Sequence, residues 1–181
     1  MTSPAPTARR GLLFAAGGAA LVAGVGAAWW LRKPGPAANP ETEPLWALQS
    51  EQPGGGMLPM ASFRGRPLLV NFWAPWCPPC VEELPMIDAF FRQRSPNGWQ
   101  VVGLAVDKPA AVQNFLGKTP VAFPVGIVGM GGLSLVKSLG NTAGGLPFTV
   151  VLDAAGRVHE RKIGQITPED LQRWATQISV S

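Results

Sequence analysis

Two cysteines three positions apart, Cys77 and Cys80, are the residues of this 181-residue chain best suited to covalent chemistry, and they are its only cysteines. Side chains three positions apart on a helix lie about 5–6 Å from each other, which is within the range that a disulfide requires. A loop this short constrains the unfolded chain little, so a stabilising cross-link explains the pair poorly. The spacing therefore indicates a dithiol that opens and closes by exchange with the sulfur of another molecule.

The predicted start of a helix at Cys77 gives the two sulfurs different roles. Unpaired N–H groups and the helix dipole favour an anion there, so we expect a stabilised thiolate at Cys77. Cys80 lies one turn further along and is better shielded. We therefore predict that Cys77 attacks a partner disulfide and that Cys80 resolves the mixed disulfide. Pro78 and Pro79 suit a helix start and restrict the backbone between the sulfurs.

The elements that must position the cysteines follow from the apolar pattern. Residues 68–73 are apolar on both faces of a strand, which is typical of the centre of a sheet. A helix over residues 78–94 follows, apolar on the face that includes Phe91, and a final helix begins after Thr167, a favoured N-cap. The order of elements predicts an α/β fold whose central sheet is covered on both faces. The other predicted elements are a hairpin over 45–48 and 57–60, strands over 100–106 and 123–128, helices over 109–117 and 133–139, and a hairpin over 148–152 and 157–163.

The N-terminal segment is expected to cross a membrane. Residues 11–31 carry no charge, and at about 1.5 Å per residue they cover a hydrocarbon core of about 30 Å. Basic residues flank both ends, and a tryptophan pair lies where the interface would be. The pattern favours an uncleaved anchor with residues 1–10 in the cytoplasm, and a signal peptide cleaved near residues 26–28 is the alternative. Export through the Sec or the twin-arginine route stays open.

The rest of the chain divides into a linker and one domain. Residues 32–44 are rich in proline and predict an extended spacer, and residues 45–181 form the folded domain. The net charge of +4 comes entirely from the four basic residues that flank the apolar segment, because the other basic residues equal the 11 acidic ones in number. A domain without a basic stripe argues against nucleic acid as a partner.

Residues 68–80 resemble the active-site strand and turn of the thioredoxin superfamily, in particular its membrane-anchored TlpA/ResA/CcmG group with an AhpC/TSA-Redoxin-like domain. Residues 65–67, Pro85 and residues 144–149 match this group in order and spacing, and the resemblance covers nearly all of residues 45–181. It implies a thioredoxin-like α/β fold, with a central mixed sheet flanked by helices and an N-terminal β-hairpin extension. It also implies an extracytoplasmic thiol–disulfide oxidoreductase, commonly a reductant in cytochrome c maturation, and no cofactor is expected.

The resemblance also implies roles for residues outside the cysteine pair. Pro147 matches the cis-proline that lies beside the cysteines, exposes the backbone of Leu146 for pairing with a substrate strand and keeps metals off the thiols. Glu83 matches a helix glutamate that, with its pKa raised by partial burial, accepts the proton of Cys80. The alternative is that Glu83 is a surface acid near the helix start. Trp76 is expected to pack beside the sulfurs and shape partner docking.

Several functions share this sequence pattern. The leading hypothesis is a reductant of disulfides in exported proteins. The alternative is an oxidant that introduces disulfides, which would use the same residues. A peroxidase would need threonine or serine where Ala74 stands, and copper delivery of the Sco type would need a longer cysteine spacing and a distant histidine such as His159. A zinc site would need two ligands besides the cysteine pair. His159 is expected to be a solvent-facing strand residue, and Trp73 is expected in the core.

The expected setting follows from the anchor and the chemistry. We expect a single-pass protein of a bacterial inner membrane whose folded domain, a monomer, faces the periplasm or the exterior. Its partners would be exported proteins with disulfides and a membrane electron donor of the thiol–disulfide type.

Overall fold

A computed structural model describes residues 39–178 of the chain. Within these residues the strands form one seven-stranded sheet in the order β2-β1-β5-β4-β3-β6-β7. The strands are β1 Gln49–Glu51, β2 Met57–Pro59, β3 Leu68–Trp73, β4 Gln100–Ala105, β5 Val125–Ile127, β6 Phe148–Leu152 and β7 Val158–Ile163. The helices are α1 Glu43–Trp46, α2 Pro78–Arg94, α3 Pro109–Lys118, α4 Gly132–Ser138 and α5 Pro168–Gln177, with 3-10 turns at Met60–Phe63 and Ser95–Asn97.

The sheet is mixed, and β3 lies near its middle. Strand β3 pairs in parallel with β4, and β4 pairs in parallel with β5. On its other side β3 pairs antiparallel with β6, which pairs antiparallel with β7. The carboxyl ends of β3, β4 and β5 therefore share one edge of the sheet with the start of β6. The predicted mixed α/β sheet is confirmed.

Alternate side chains of β3 enter two separate cores, because successive side chains of a strand point to opposite faces. Leu69 and Trp73 pack in one core with buried residues of α2, α3 and α5. Val70 and Phe72 pack in the other core with buried residues of α1 and α4. All six side chains of β3 are buried, which confirms the predicted central strand and the predicted core position of Trp73. On α2 the buried aromatic residue is Phe90.

The first predicted strand is wrong. Residues 45 and 46 belong to the short helix α1, residues 47 and 48 follow it, and strand β1 begins only at Gln49. Tertiary contacts decide this: Trp46 donates from Nε1 to the hydroxyl of Thr42, and that hydroxyl donates to the carbonyl oxygen of Gly156 in the β6–β7 turn. Strand β1 then pairs antiparallel with β2, with Ser50 opposite Leu58.

The predicted membrane anchor and the first part of the predicted spacer lie outside the described residues. Between residues 39 and 178, no helix combines the length and the apolar character that crossing a membrane requires.

Candidate active site

Strand β3 delivers the cysteines to the edge of the sheet. The strand ends at Trp73, and a tight turn follows in which the N–H of Cys77 donates to the carbonyl oxygen of Ala74 over 3.1 Å. Cys77 is the N-cap of α2, with an extended backbone, and the carbonyl oxygen of Cys77 accepts the N–H of Val81. The helix start predicted at the cysteine pair is confirmed.

Cys77 and Cys80 form a closed disulfide, with their Cα atoms 5.3 Å apart. Cys80 is fully buried, whereas Cys77 retains 4% of its exposure. A partner sulfur can therefore approach only the Cys77 side of the pair. This asymmetry agrees with the assignment of Cys77 as the attacking sulfur and Cys80 as the resolving sulfur.

The first turn of α2 offers Cys77 fewer hydrogen-bond donors than an ordinary helix start. An N-cap side chain normally accepts from the N–H of the second or third helical residue. Pro78 and Pro79 occupy the first two helical positions and carry no N–H. The N–H of Cys80, at the third position, is therefore the first that the helix can direct at the Cys77 sulfur.

Glu83 lies one turn beyond Cys80 on the buried side of α2 and is 1% exposed. Its Oε1 accepts a hydrogen bond of 2.7 Å from the side-chain amide of Asn71, and its Oε2 accepts one of 2.8 Å from the backbone N–H of Ile166. Burial raises the pKa of the Glu83 carboxyl, and the two hydrogen bonds oppose this rise in part. The alternative that Glu83 is a surface acid is therefore wrong.

The hydrogen bonds of Glu83 lead to two polar residues, Asn71 and Thr149, that are not among the candidate site residues predicted from the sequence. Asn71, on β3, donates a second hydrogen bond of 3.0 Å to the hydroxyl of Thr149 on β6. Both residues are fully buried. An isolated polar residue inside the apolar segment 68–73 was the available signal for Asn71, whereas nothing in the sequence marks the backbone N–H of Ile166.

The peptide bond between Leu146 and Pro147 is cis, as the resemblance implied. Phe148 pairs with Phe72, so the strand register puts Pro147 at the edge of the sheet where β3 leads into the cysteine turn. Pro147 is buried and Leu146 is half-buried. Leu146 packs against both cores, including the one that contains the two cysteines.

Trp76 and His159 have different surroundings. Trp76 is 58% exposed and lines a surface pocket together with Phe115 and Lys118 of α3.

His159 is exposed on β7, as predicted, with its Nε2 3.1 Å from Gln177 Oε1. Because Ile163, at the other end of β7, is the residue opposite Phe148, the structure does not bring His159 to the cysteines.

A thioredoxin-like sheet with a closed two-cysteine loop at a helix start, a buried carboxyl and a cis-proline defines a dithiol–disulfide protein of the thioredoxin superfamily. The Redoxin family matches residues 40–178. The chain belongs to this family, and it is a TlpA/ResA/CcmG-like member of the superfamily.

Relatives and solved structures agree with this assignment. The thiol-disulfide oxidoreductase ResA of Bacillus thuringiensis (strain Al Hakam) is 29% identical over 126 residues, which are 69% of this chain and 70% of the relative. The sporulation thiol-disulfide oxidoreductase A of Bacillus subtilis (strain 168) is 26% identical over 61% of this chain and 67% of the relative. The structure of MTB DsbF in its mixed oxidized and reduced forms has a TM-score of 0.66 and 26% identity, covering 78% of this chain and 100% of that one. With Cys77 and Cys80 at disulfide distance, the protein is a thiol–disulfide oxidoreductase.

Proposed function

We propose that the protein reduces disulfides in exported proteins, of the kind required in cytochrome c maturation, through attack by Cys77 and resolution by Cys80. The observation that carries the proposal is the closed disulfide at the start of α2, with one sulfur slightly exposed, the other fully buried and a buried carboxyl one turn further on. A dithiol that closes to this disulfide gives two electrons to the substrate disulfide.

The reaction begins with both cysteines reduced. The Cys77 thiolate attacks one sulfur of the substrate disulfide, so the substrate S–S bond breaks, a mixed disulfide forms and the first substrate sulfur leaves as a thiolate that takes a proton from water. Cys80 then gives its proton to the Glu83 carboxylate and attacks the Cys77 sulfur. The mixed disulfide breaks and the second substrate sulfur leaves as a thiolate. The substrate has then gained two electrons, and Cys77 and Cys80 are oxidised to a disulfide.

Trp76, Leu146 and Pro147 form the substrate-binding part of the proposal. The backbone of Leu146 offers hydrogen-bonding groups to an extended substrate segment, and the exposed indole of Trp76 offers apolar surface beside the cysteine turn. Pro147, which has no N–H, completes the wall next to the sulfurs and keeps metal ions from the thiols.

The setting is proposed from the sequence. Residues 11–31 anchor the protein in a bacterial inner membrane, residues 1–10 lie in the cytoplasm, residues 32–44 act as a spacer and the domain over 45–181 faces the periplasm or exterior as a monomer. A membrane thiol–disulfide donor then returns the electrons. Resistance of the full chain to extraction from membranes by alkaline carbonate is the expected result, and an N-terminus that begins near residue 27 in the mature protein would show a cleaved signal peptide instead.

The direction of electron flow is tested by equilibrating Cys77 and Cys80 with glutathione or dithiothreitol buffers and measuring the fraction of disulfide. A midpoint near that of thioredoxin, about −270 mV, supports a reductant, whereas a midpoint near that of strong oxidants, about −120 mV, contradicts it and indicates a disulfide-forming protein.

The roles of the two sulfurs are tested separately. A Cys80→Ala variant should accumulate a mixed disulfide with its substrate through Cys77, and identification of the captured protein would name the substrate. A Cys77→Ala variant is the matched control and should capture nothing, because Cys80 is fully buried. Equal capture by both variants would contradict the assigned roles.

A further inference from the structure

The carboxyl of Glu83 accepts a hydrogen bond from a buried neutral side chain, Asn71, which is bonded in turn to Thr149. The amide nitrogen of Asn71 donates one hydrogen to Glu83 Oε1 and the other to the hydroxyl of Thr149. The three side chains are between 0% and 1% exposed. The amide oxygen of Asn71 is also buried, and among residues 39–178 it has no hydrogen-bond partner.

This pattern fixes which end of the amide faces Glu83. Both N–H groups of the Asn71 side chain are in use, and Thr149 holds the second one. Rotation of the amide by half a turn would place its oxygen against an ionised carboxylate and would bury two N–H groups in place of one unpaired oxygen. Because buried polar groups without partners are costly, the observed orientation is preferred while Glu83 is ionised.

We propose that Asn71, oriented by Thr149, is a positioning residue that keeps the Glu83 carboxyl able to ionise in its buried site and thereby sets the pH at which Cys80 loses its proton. The inference rests on the proposed function of Glu83. In this step one proton moves from the Cys80 sulfur to a Glu83 oxygen, and nothing is oxidised or reduced. Before the transfer, the hydrogen bond from the Asn71 amide stabilises the Glu83 carboxylate. Burial and this hydrogen bond act on the pKa of Glu83 in opposite directions.

Among residues 39–178, no charged side chain forms an ion pair with the Glu83 carboxyl. The groups that contact its carboxyl from β3 and from the loop before α5 are Asn71 and the Ile166 amide, and neither titrates. On α2 the titratable neighbour on the same face is Cys80. At the two ends of the β7–α5 connection, Lys162 and Asp170 bond to each other over 3.1 Å.

The test uses the full chain and a chromogenic aromatic disulfide, 5,5′-dithiobis(2-nitrobenzoate). Its first thiolate is released when Cys77 attacks, and its second is released when Cys80 resolves the mixed disulfide, so the second phase reports on Cys80. The pH dependence of the second phase is compared among wild type, Asn71→Leu and Thr149→Val, with Thr149→Ser as the conservative variant that keeps the hydroxyl.

The inflection of the second phase should move up by about one to two pH units in Asn71→Leu, because one hydrogen bond to a charged group is lost. Thr149→Val should move it in the same direction by less, and Thr149→Ser should restore the wild-type value. The first phase should keep its pH profile in all variants. If Asn71→Leu does not fold, the shape-matched Thr149→Val decides the outcome by itself.

A Glu83→Gln background separates the two proposals. If Glu83→Gln leaves the inflection in place, the role of Glu83 fails, and the inference about Asn71 fails with it. If Glu83→Gln removes the inflection but Asn71→Leu and Thr149→Val keep the wild-type value, only the positioning role is overturned. The inference requires that Thr149→Val has no further effect on the pH profile once Glu83 is glutamine.

Discussion

Gly164 donates its backbone N–H to the carbonyl oxygen of Pro147 over 2.9 Å. Two residues further along the same connection, the N–H of Ile166 donates to Glu83. One short segment between β7 and α5 therefore holds both the cis-proline and the buried carboxyl. The segment that would bind substrate and the group that would accept the Cys80 proton share a support, so a change in this connection is expected to affect both.

Gly164→Ala tests the importance of that support. Gly164 has φ of +87°, and an added Cβ would meet no atom within 4 Å, so the cost is one of backbone conformation and is about 1–2 kcal/mol. Urea unfolding should show this loss, and weakening of the hydrogen bond from the Ile166 N–H should raise the pKa of Glu83. Gly54→Ala is the control, since Gly54 has open space and no positive φ, and it should lose no stability. Equal stabilities of the two variants would contradict the prediction.

The raised pKa of Glu83 makes stability depend on pH with a definite sign. Between the ordinary value of 4.5 and the raised folded-state pKa, the folded protein binds more protons than the unfolded chain, so the free energy of unfolding falls as pH rises. Glu83→Gln removes this fall, and the two stability curves should diverge by about 1.4 kcal/mol for each unit by which the pKa is raised. Urea unfolding of the oxidised proteins across this range measures the divergence.

The control for that experiment is Glu82→Gln, because Glu82 is an exposed neighbour on the same helix. The fall in unfolding free energy that is attributed to Glu83 should persist in this variant. If the Glu83→Gln curve instead runs parallel to that of wild type, the Glu83 carboxyl does not titrate between the two values and its proposed role in proton transfer loses its basis.

Pro79→Ala tests the shortage of donors at the start of α2. The substitution adds an N–H at the second helical position, from which an N-cap side chain can accept. Stabilisation of the thiolate should lower the pKa of Cys77 by about one unit and make the disulfide more oxidising by about 30 mV. The pH dependence of alkylation by iodoacetamide and a glutathione titration measure the two effects.

The matched control for that substitution is Pro85→Ala, which also removes a proline from α2 but lies at an exposed position beyond the first turn. Its Cys77 thiol should titrate as in wild type. If the pKa of Cys77 falls by a similar amount in both variants, the cause is helix flexibility and not the new N–H donor.

Trp76→Ala tests the proposed docking surface. Trp76 is 58% exposed, so its removal should change stability by less than about 0.5 kcal/mol. Reduction of a protein disulfide should slow with a raised KM, whereas exchange with dithiothreitol should continue at the wild-type rate. Met57→Ala is the control, because Met57 is 56% exposed on β2, four strands away from β3. If Met57→Ala slows the reduction of a protein disulfide as much as Trp76→Ala does, Trp76 has no local docking role.

Much of the fold could be predicted because its signals lie in consecutive residues. The strand over 68–73 and the helix over 78–94 have the predicted bounds, since a run of buried side chains and a proline-led helix start are local patterns. The N-cap at Thr167 is also local, and its hydroxyl indeed accepts the N–H of Asp170. The strand predicted over residues 45–48 is wrong because helix α1 is held by a contact between Thr42 and Gly156, which are far apart in the chain.

The candidate site divides in the same way. The sequence by itself determined that the two cysteines lie close enough for a disulfide and that the chemistry is thiol–disulfide exchange, because side chains three positions apart on a helix are neighbours. Only the tertiary structure decided that Glu83 is buried and that its partners are Asn71 and the Ile166 amide, 12 and 83 residues away. The physical reason is that desolvation and hydrogen bonds from distant backbone are properties of packed surroundings, and no local residue pattern encodes them.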